Sequence, residues 1–263
     1  MKHLIITLMF AAMGASAQLT GQSLEQIKIA ADAGDPAAQD ALAVRDSANA
    51  EIWYRKAAEQ GYAHSEGQLG HRLLSSSRTN FGLKPADRAA MRDEALKWIV
   101  LAANQGDAQG QADMALLCLN GELVKQDYVE AYKWGELCSE SLNFDVFSGP
   151  QGRSVRDAAI LKMNADQIAE ARRRVAEFVP HQPNKSDLPD PAWVQKIKLH
   201  GISGAGDHRL AIINDETFEK GDQTALKIDG KSVKVTCLEI RESSVSVAID
   251  GIEGTHELKM AEK

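Results

Sequence analysis

Three tryptophans fall in near-copies of one phrase: Ala50 to Gly61 around Trp53, Ala95 to Gly106 around Trp98, and Ala131 to Ser139 around Trp134. Each phrase carries alanine three residues before the tryptophan and small residues four and five after it. At 3.6 residues per turn these positions share one stripe of a helix. Alanine lets a neighbouring helix backbone approach closely, and the indole fills the space between layers. Gly61 and Gly106 suit a left-handed helix end, and Gly34 opens a similar unit with no tryptophan phrase before it. Asp35 and Asp107, which follow two of these glycines, suit the next helix start. The unit starts at 34, 61 and 106 lie 27 and 45 residues apart, a mean period of 36. One helical pair cannot bury such a face alone, so the units are expected to stack into a solenoid.

Along the chain, helices are expected at Ser23–Ala33, Pro36–Arg45, Ala50–Gln60 and from Ser65 to Leu74. The polar run Ser75–Pro85 then reads as an inserted surface loop, which accounts for the longer spacing. Helices follow at Asp87–Asn104, Gln109–Leu119 and Asp127–Ser139. Phe144–Arg153, with Gly149-Pro150, reads as a break. Asn164–Phe178 is an amphipathic helix with a strongly charged face, the polar end-cap that a solenoid needs. Its Arg172-Arg173-Arg174 run fits a solvated face better than an anion site.

Pro180–Pro191 holds four prolines in twelve residues and reads as a linker. Beyond it the apolar period changes to two, over Gln195–Ile202, Leu210–Ile213, Thr224–Ile228, Val233–Ile240 and Val245–Ile249. Turn signals at Asn214-Asp215, Asp229-Gly230, Arg241–Ser244 and Asp250-Gly251 separate these stretches. The expectation is an α+β, multidomain chain: a helical repeat solenoid with its capping helix over 18–179, a linker over 180–192, and a small antiparallel β-barrel or sandwich over 193–263.

The repeated words resemble a family. Gly-Asp-x-x-x-Gln, Leu119-x-Asn-Gly-x-x-x-x-x-Asp-Tyr-x-x-Ala-x-x-Trp134 and Trp53-Tyr-x-Lys-Ala-Ala-Glu-Gln-Gly61 are similar to the Sel1-like repeats, short relatives of tetratricopeptide repeats. The resemblance covers residues 24–142. It implies right-handed α/α superhelices that hold peptide or protein partners along a concave face. The shortened first unit, the residues after Leu74, and Cys118 and Leu142 in place of the family's tyrosine and glycine are departures from the pattern. By repeat register the concave-face candidates are Gln68, His71, Arg72, Asp113 and Leu117. The segment from Gly201 to Leu258 resembles the small periplasmic β-modules of type II secretion and type IV pilus accessory proteins, which implies docking to neighbouring envelope components.

Lys plus Arg is 30 and Asp plus Glu 37, a formal charge of −7 that argues against general nucleic-acid binding. Met1-Lys2-His3, the apolar run Leu4–Met13 and Ala15-Ser16-Ala17 read as a secretory signal peptide over 1–17, cleaved after Ala17. The expectations are periplasmic or secreted localisation and no stable membrane insertion once the signal is removed. Cys118, Cys138 and Cys237 are expected to remain thiols, the first two standing about 10 Å apart on an antiparallel pair. No CxxC or His/Cys zinc spacing occurs, and His200, Asp207 and His208 read as scattered surface polars, so neither metal nor cofactor is expected. Gly201-Ile-Ser-Gly204-Ala-Gly206 lacks the lysine and helix of a phosphate loop and reads as a hairpin turn. No nucleophile elbow or carboxylate pair stands out. The sequence therefore reads as a non-enzymatic adaptor in the bacterial envelope. The alternative is a cell-wall or peptide-processing hydrolase with its site in the interdomain cleft.

Overall fold

Helix starts along the first part of the chain are set by short polar side chains. In the computed structural model, which describes residues 23–141, 148–184, 187–191, 193–206, 208–252 and 254–260, Ser23 and Gln26 form a reciprocal capping box. Asp35 Oδ1 accepts from the Ala38 amide at 2.8 Å, and Asp107 Oδ1 from the Gly110 amide at 2.8 Å. These caps satisfy donors that the helices cannot satisfy internally. The signal segment and its Ala17 site, Asp207, and part of the expected break at 144–153 lie outside the described residues.

Contacts divide the chain into two compact units, meeting between Pro183 and Asn184. The first is helical: α1 Leu24–Asp32, α2 Pro36–Arg45, α3 Ala50–Ala58, α4 Ala63–Thr79, α5 Pro85–Gln105, α6 Ala108–Asn120, α7 Tyr128–Glu140, α8 Ser148–Ile160 and α9 Ala165–Glu177. Successive helices from α1 to α8 pack as hairpins, α9 packs on α7, and α6 also packs beside both α4 and α8, which is how stacked repeats share a core. The tryptophan phrases are α3, α5 and α7. Their alanines, Ala50, Ala57, Ala58, Ala95, Ala102, Ala103 and Ala131, are all 1% exposed or less, so neighbouring backbones do approach there. Trp98 and Trp134 are buried, while Trp53 is half-buried beneath the Lys56 ammonium. Gly34, Gly61 and Gly106 close three helices with φ of 102°, 81° and 90°, a region side-chain-bearing residues avoid. Gln39 Nε2 donates to the Ala31 carbonyl at 3.1 Å, and Gln111 Nε2 to Ala103 at 3.5 Å, so a glutamine at the same repeat position ties α2 to α1 and α6 to α5.

Two expectations change. The polar run after Leu74 does not loop out: α4 continues to Thr79, and α5 begins at Pro85. Ser77 and Thr79 turn their hydroxyls back onto the carbonyls of Leu74 and Ser75, at 2.7 and 3.0 Å, so the polar side chains are satisfied within the helix. The additional residues lengthen both arms of a hairpin. The expected break at Gly149-Pro150 is instead the start of α8, because a proline in the first turn surrenders only an amide that has no intrahelical acceptor. Gly152 in α8 and Gly135 in α7 face each other so closely that a Cβ on either would stand 2.7 Å from the other's carbonyl oxygen. α9 has an Asn164–Gln167 capping box, and Arg173 and Arg174 are held by Glu170, Glu177 and Glu130. Past α9, Phe178 meets Trp134 edge-on, and the His181 amide donates to the Asn104 carbonyl.

The second unit is antiparallel: β1 Leu199–Ser203, β2 Leu210–Ile213, β3 Glu216–Phe218, β4 Gln223–Ile228, β5 Lys231–Ile240, β6 Ser244–Ile249 and β7 His256–Lys259. They form two sheets, β1-β2-β3 and β4-β5-β6-β7, and neither closes into a barrel. The apolar sides of both contribute to one core that includes Leu199, Ile213, Phe218, Leu226, Val235 and Val247. Asp229 and Gly230, with φ of 50° and 78°, make the tight β4–β5 hairpin. A bulge between Cys237 and Glu239 moves the buried positions of β5 from Val233, Val235 and Cys237 on to Ile240. Strands β3 and β7 lie where no alternation was read, and residues 194–196 form a 3₁₀ turn rather than the start of a strand. Cys118, Cys138 and Cys237 are buried and not disulfide-bonded, and Cys138 Sγ donates to the Ala108 carbonyl.

Candidate partner-binding face

α4 carries His64, Ser65, Gln68, His71 and Arg72 at one, four, seven and eight residues from its first member, a spacing that lines one side of a helix. α2 and α6 each place a carboxylate under this row. Asp40 of α2 accepts from the Ser65 hydroxyl at 2.7 Å and lies 2.8 Å from His64 Nδ1. Asp113 of α6 lies 3.0 and 3.2 Å from His71 Nδ1 and accepts from Gln109 Nε2 at 3.1 Å. The carboxylates are nearly enclosed, with side-chain exposures of 13% and 5%, whereas the two imidazoles are 45% and 47% exposed. Each buried anion is thus covered by a half-exposed ring, and the two rings stand about 10 Å apart along the helix.

The Asp113 carboxylate raises the affinity of His71 for its proton, chiefly through their hydrogen bond and against the opposing effect of burial. The Nδ1 proton therefore points at Asp113 and Nε2 is left to face outward. With Nδ1 donating, the 3.0 Å approach of Gln109 Nε2 to the same nitrogen is not a hydrogen bond, and the amide serves Asp113 instead. Between the two rings, the Arg72 guanidinium lies over the Tyr54 ring at 5.4 Å, and Tyr54 meets His64 edge-on at 6.4 Å. Burial, reinforced by Asp40, raises the tyrosine's pKa, so its hydroxyl keeps its proton.

Of the residues singled out from the sequence, His71 and Asp113 are brought into direct contact, Arg72 is exposed beside them, and Gln68 is half-buried on the same side of α4. Leu117 is a correction: it lies one turn on from Asp113 on the same side of α6, but at 1% exposure its side chain is enclosed by the packing rather than offered to a partner. Sequence reading missed Asp40, Tyr54, His64, Ser65 and Gln109. The pairing of Asp40 with His64 depends on how α2 and α4 stack across α3, which a repeat shortened to 27 residues does not reveal. His200 and His208 are exposed in the β unit.

Behind the face the electrostatics change character. Glu66 is fully buried, and its Oε2 accepts from Gln105 Nε2 at 2.5 Å. Burial, followed by the neighbouring Asp107, pushes its pKa up to about 8. Burial also pushes Asp107 up to about 6. A Cβ on Gly67 would stand 2.1 Å from Asp107 Oδ1, so these residues occupy one crowded seam. The Cys118 thiol, pushed up to about 12 by burial, stays protonated and is a poor nucleophile. Ser65 gives its proton to Asp40 rather than to an imidazole, which leaves it without the base a nucleophilic serine needs. Among the described residues there is no group of three His, Cys, Asp or Glu placed to hold a metal ion. No described helix is long and apolar enough to cross a membrane.

No protein-family model matches the chain, and no curated protein matches it. Solved structures similar to it include two Sel1-repeat-type proteins. One is a protective antigen present in uropathogenic Escherichia coli strains, displaying an SLR fold: 23% identity, TM-score 0.49, over 73% of this chain and 41% of that one. This chain therefore spans about two fifths of that protein's length. The other is a Sel1 repeat protein from Oxalobacter formigenes: 26% identity, TM-score 0.34, over 66% of this chain and 74% of that one. Likeness at these TM-scores decides neither family nor partner; the repeat architecture rests on the stacked hairpins of the chain itself.

Proposed function

We propose that this chain is a Sel1-like repeat protein of the bacterial envelope that acts as a non-enzymatic scaffold, holding a peptide or protein partner across α2, α4 and α6. The observation that carries this reading is the row on α4: exposed His64, His71 and Arg72 and half-buried Gln68, with the two rings oriented by carboxylates from neighbouring helices. Side chains fixed in advance lose little freedom when a partner arrives, so more of their contact energy appears as affinity. Export is supported by the signal-like 1–17 segment. A role beside a secretion or pilus assembly is supported by the resemblance of the β unit to small periplasmic modules. The hydrolase alternative is not favoured: the carboxylates with raised pKa lie inside the helical packing, out of a substrate's reach.

Photo-crosslinking from position 68 in the intact protein, expressed in its own cells, tests the scaffold. Arg72→Glu and His71→Ala should each lower the yield of the crosslinked species at least several-fold, with the helical melting curve unchanged. Equal yields from the wild type and both variants would remove this face from the proposal. Fractionation of the same cells tests export, since retention of an uncleaved chain in the cytoplasm would contradict it.

A further inference from the structure

The seam behind that face holds a carboxylate where the repeat otherwise holds an amide. Counting from the glycine that opens each unit, Gly34, Gly61 and Gly106, the residue five on is Gln39, Glu66 and Gln111. Both glutamines donate to a carbonyl eight residues earlier, Ala31 and Ala103. The corresponding carbonyl for Glu66 is that of Ala58. Glu66 is 0% exposed, its Oε2 is occupied by Gln105, and its Oε1 has no partner. An ionised carboxylate has no proton to offer a carbonyl, and a buried oxygen without a partner is costly. A protonated carboxyl has the shape of the glutamine amide and one donor in the same place.

We propose that Glu66 is held as a neutral acid standing in for the repeat's glutamine, which makes the junction of α4, α5 and α6 a pH-sensitive joint that tightens on acidification. Burial favours its neutral form, and so does Asp107 at the head of α6, the anion facing it; the Gln105 amide from α5, which donates to Glu66, works the other way and is outweighed. Asp107 is in turn opposed by Asp40 of α2 and Asp113 of α6, and is favoured as an anion by His64 of α4 and the Gly110 amide. Tyr54 of α3 is engaged with Arg72 and stays neutral.

The direction of the effect follows from proton uptake. In the unfolded chain Glu66 ionises near its ordinary 4.5, whereas in the folded chain it keeps its proton up to about 8. Between those values the folded state binds the additional proton, so stability falls as pH rises and levels off above the higher value. Asp107 adds a fall of the same sign, confined between its ordinary 3.8 and about 6.

The test is the urea midpoint of the full-length protein, followed by its helical signal across this pH range, for wild type, Glu66→Gln and Asp107→Asn. The wild-type midpoint should decline up to about pH 8. Glu66→Gln should match the wild type at the acid end, exceed it increasingly above it, and keep a constant lead in the alkaline range. Asp107→Asn should retain the decline between about pH 6 and 8. A Glu66→Gln curve that runs parallel to or below the wild type, or a decline abolished by Asp107→Asn alone, would overturn the proposal. Partner capture through Arg72 is measured separately, so failure of either idea leaves the other to its own result.

Discussion

Asp113 does two things with one carboxylate: it fixes which nitrogen of His71 carries the proton, and it keeps that ring charged to a higher pH than a solvated histidine. The pair's contribution to stability is complete below the ordinary histidine value of 6.5 and is lost as pH rises through the raised one. Asp113→Asn removes the charge and most of the hydrogen-bond preference. The His71 titration, followed by the imidazole proton resonances, should move down towards 6.5 or below it, since burial alone lowers a histidine. An unchanged midpoint would mean that Asp113 is not the group holding the proton. His71 and Asp113 could be singled out from the sequence because both follow directly from repeat register. Asp40 and His64 could not, since their meeting depends on the stacking of a unit that departs from the mean period. Leu117 was misplaced because register gives the side of the helix but not how far neighbouring helices cover each position on it.

At the level of elements, glycine and tryptophan made α3, α5 and α7 readable, since cap chemistry and a bulky apolar residue at fixed spacing leave few alternatives. α8 was unreadable for the opposite reason. Its Gly-Pro start and Gly152 lower local helix propensity, and the need for Gly152 appears only from its close approach to Gly135 of α7. The far end of α4 shows the same limit, where serines that suit a loop are satisfied inside a helix. α9 is the element whose own sequence does most to hold it. Its one buried residue is Ala171, and its start depends on the Asn164 side chain accepting from the Gln167 amide at 2.9 Å. Asn164→Ala should therefore lower the stability of the helical unit by about 1 kcal/mol, read as a lower denaturant midpoint. Asn164→Ser should recover most of that loss, because serine caps as well as asparagine. Equal midpoints for all three proteins would show that α9 is held by Phe178 on Trp134 and the Arg174–Glu130 pair rather than by its cap.

For the whole molecule, the change of apolar period near Pro180–Pro191 marked where one kind of packing gives way to another. The contacts divide between Pro183 and Asn184. The ends of the proline-rich stretch are nonetheless anchored: Pro180 lies against Gly106 and the His181 amide bonds Asn104, while Asp190 pairs with His256 in the β unit. Composition cannot disclose such anchoring, because prolines that stiffen a spacer equally suit a segment lying along a surface. The buried core from Val194 to Ile249 is drawn from the strands, the 3₁₀ turn before them and Ile197 between the two. Each unit, with a core of its own, is therefore expected to fold alone. Chains covering 23–183 and 184–263 should both show cooperative thermal transitions, the first helical and the second β-rich. Their summed circular dichroism should reproduce the intact protein at every temperature. If the 184–263 chain is unfolded by itself, or if the intact protein melts well above both parts, the units stabilise one another and a partner held by one would be felt by the other. If the sum holds, each unit can engage its own partner without disturbing its neighbour, which is the property an adaptor between two components requires.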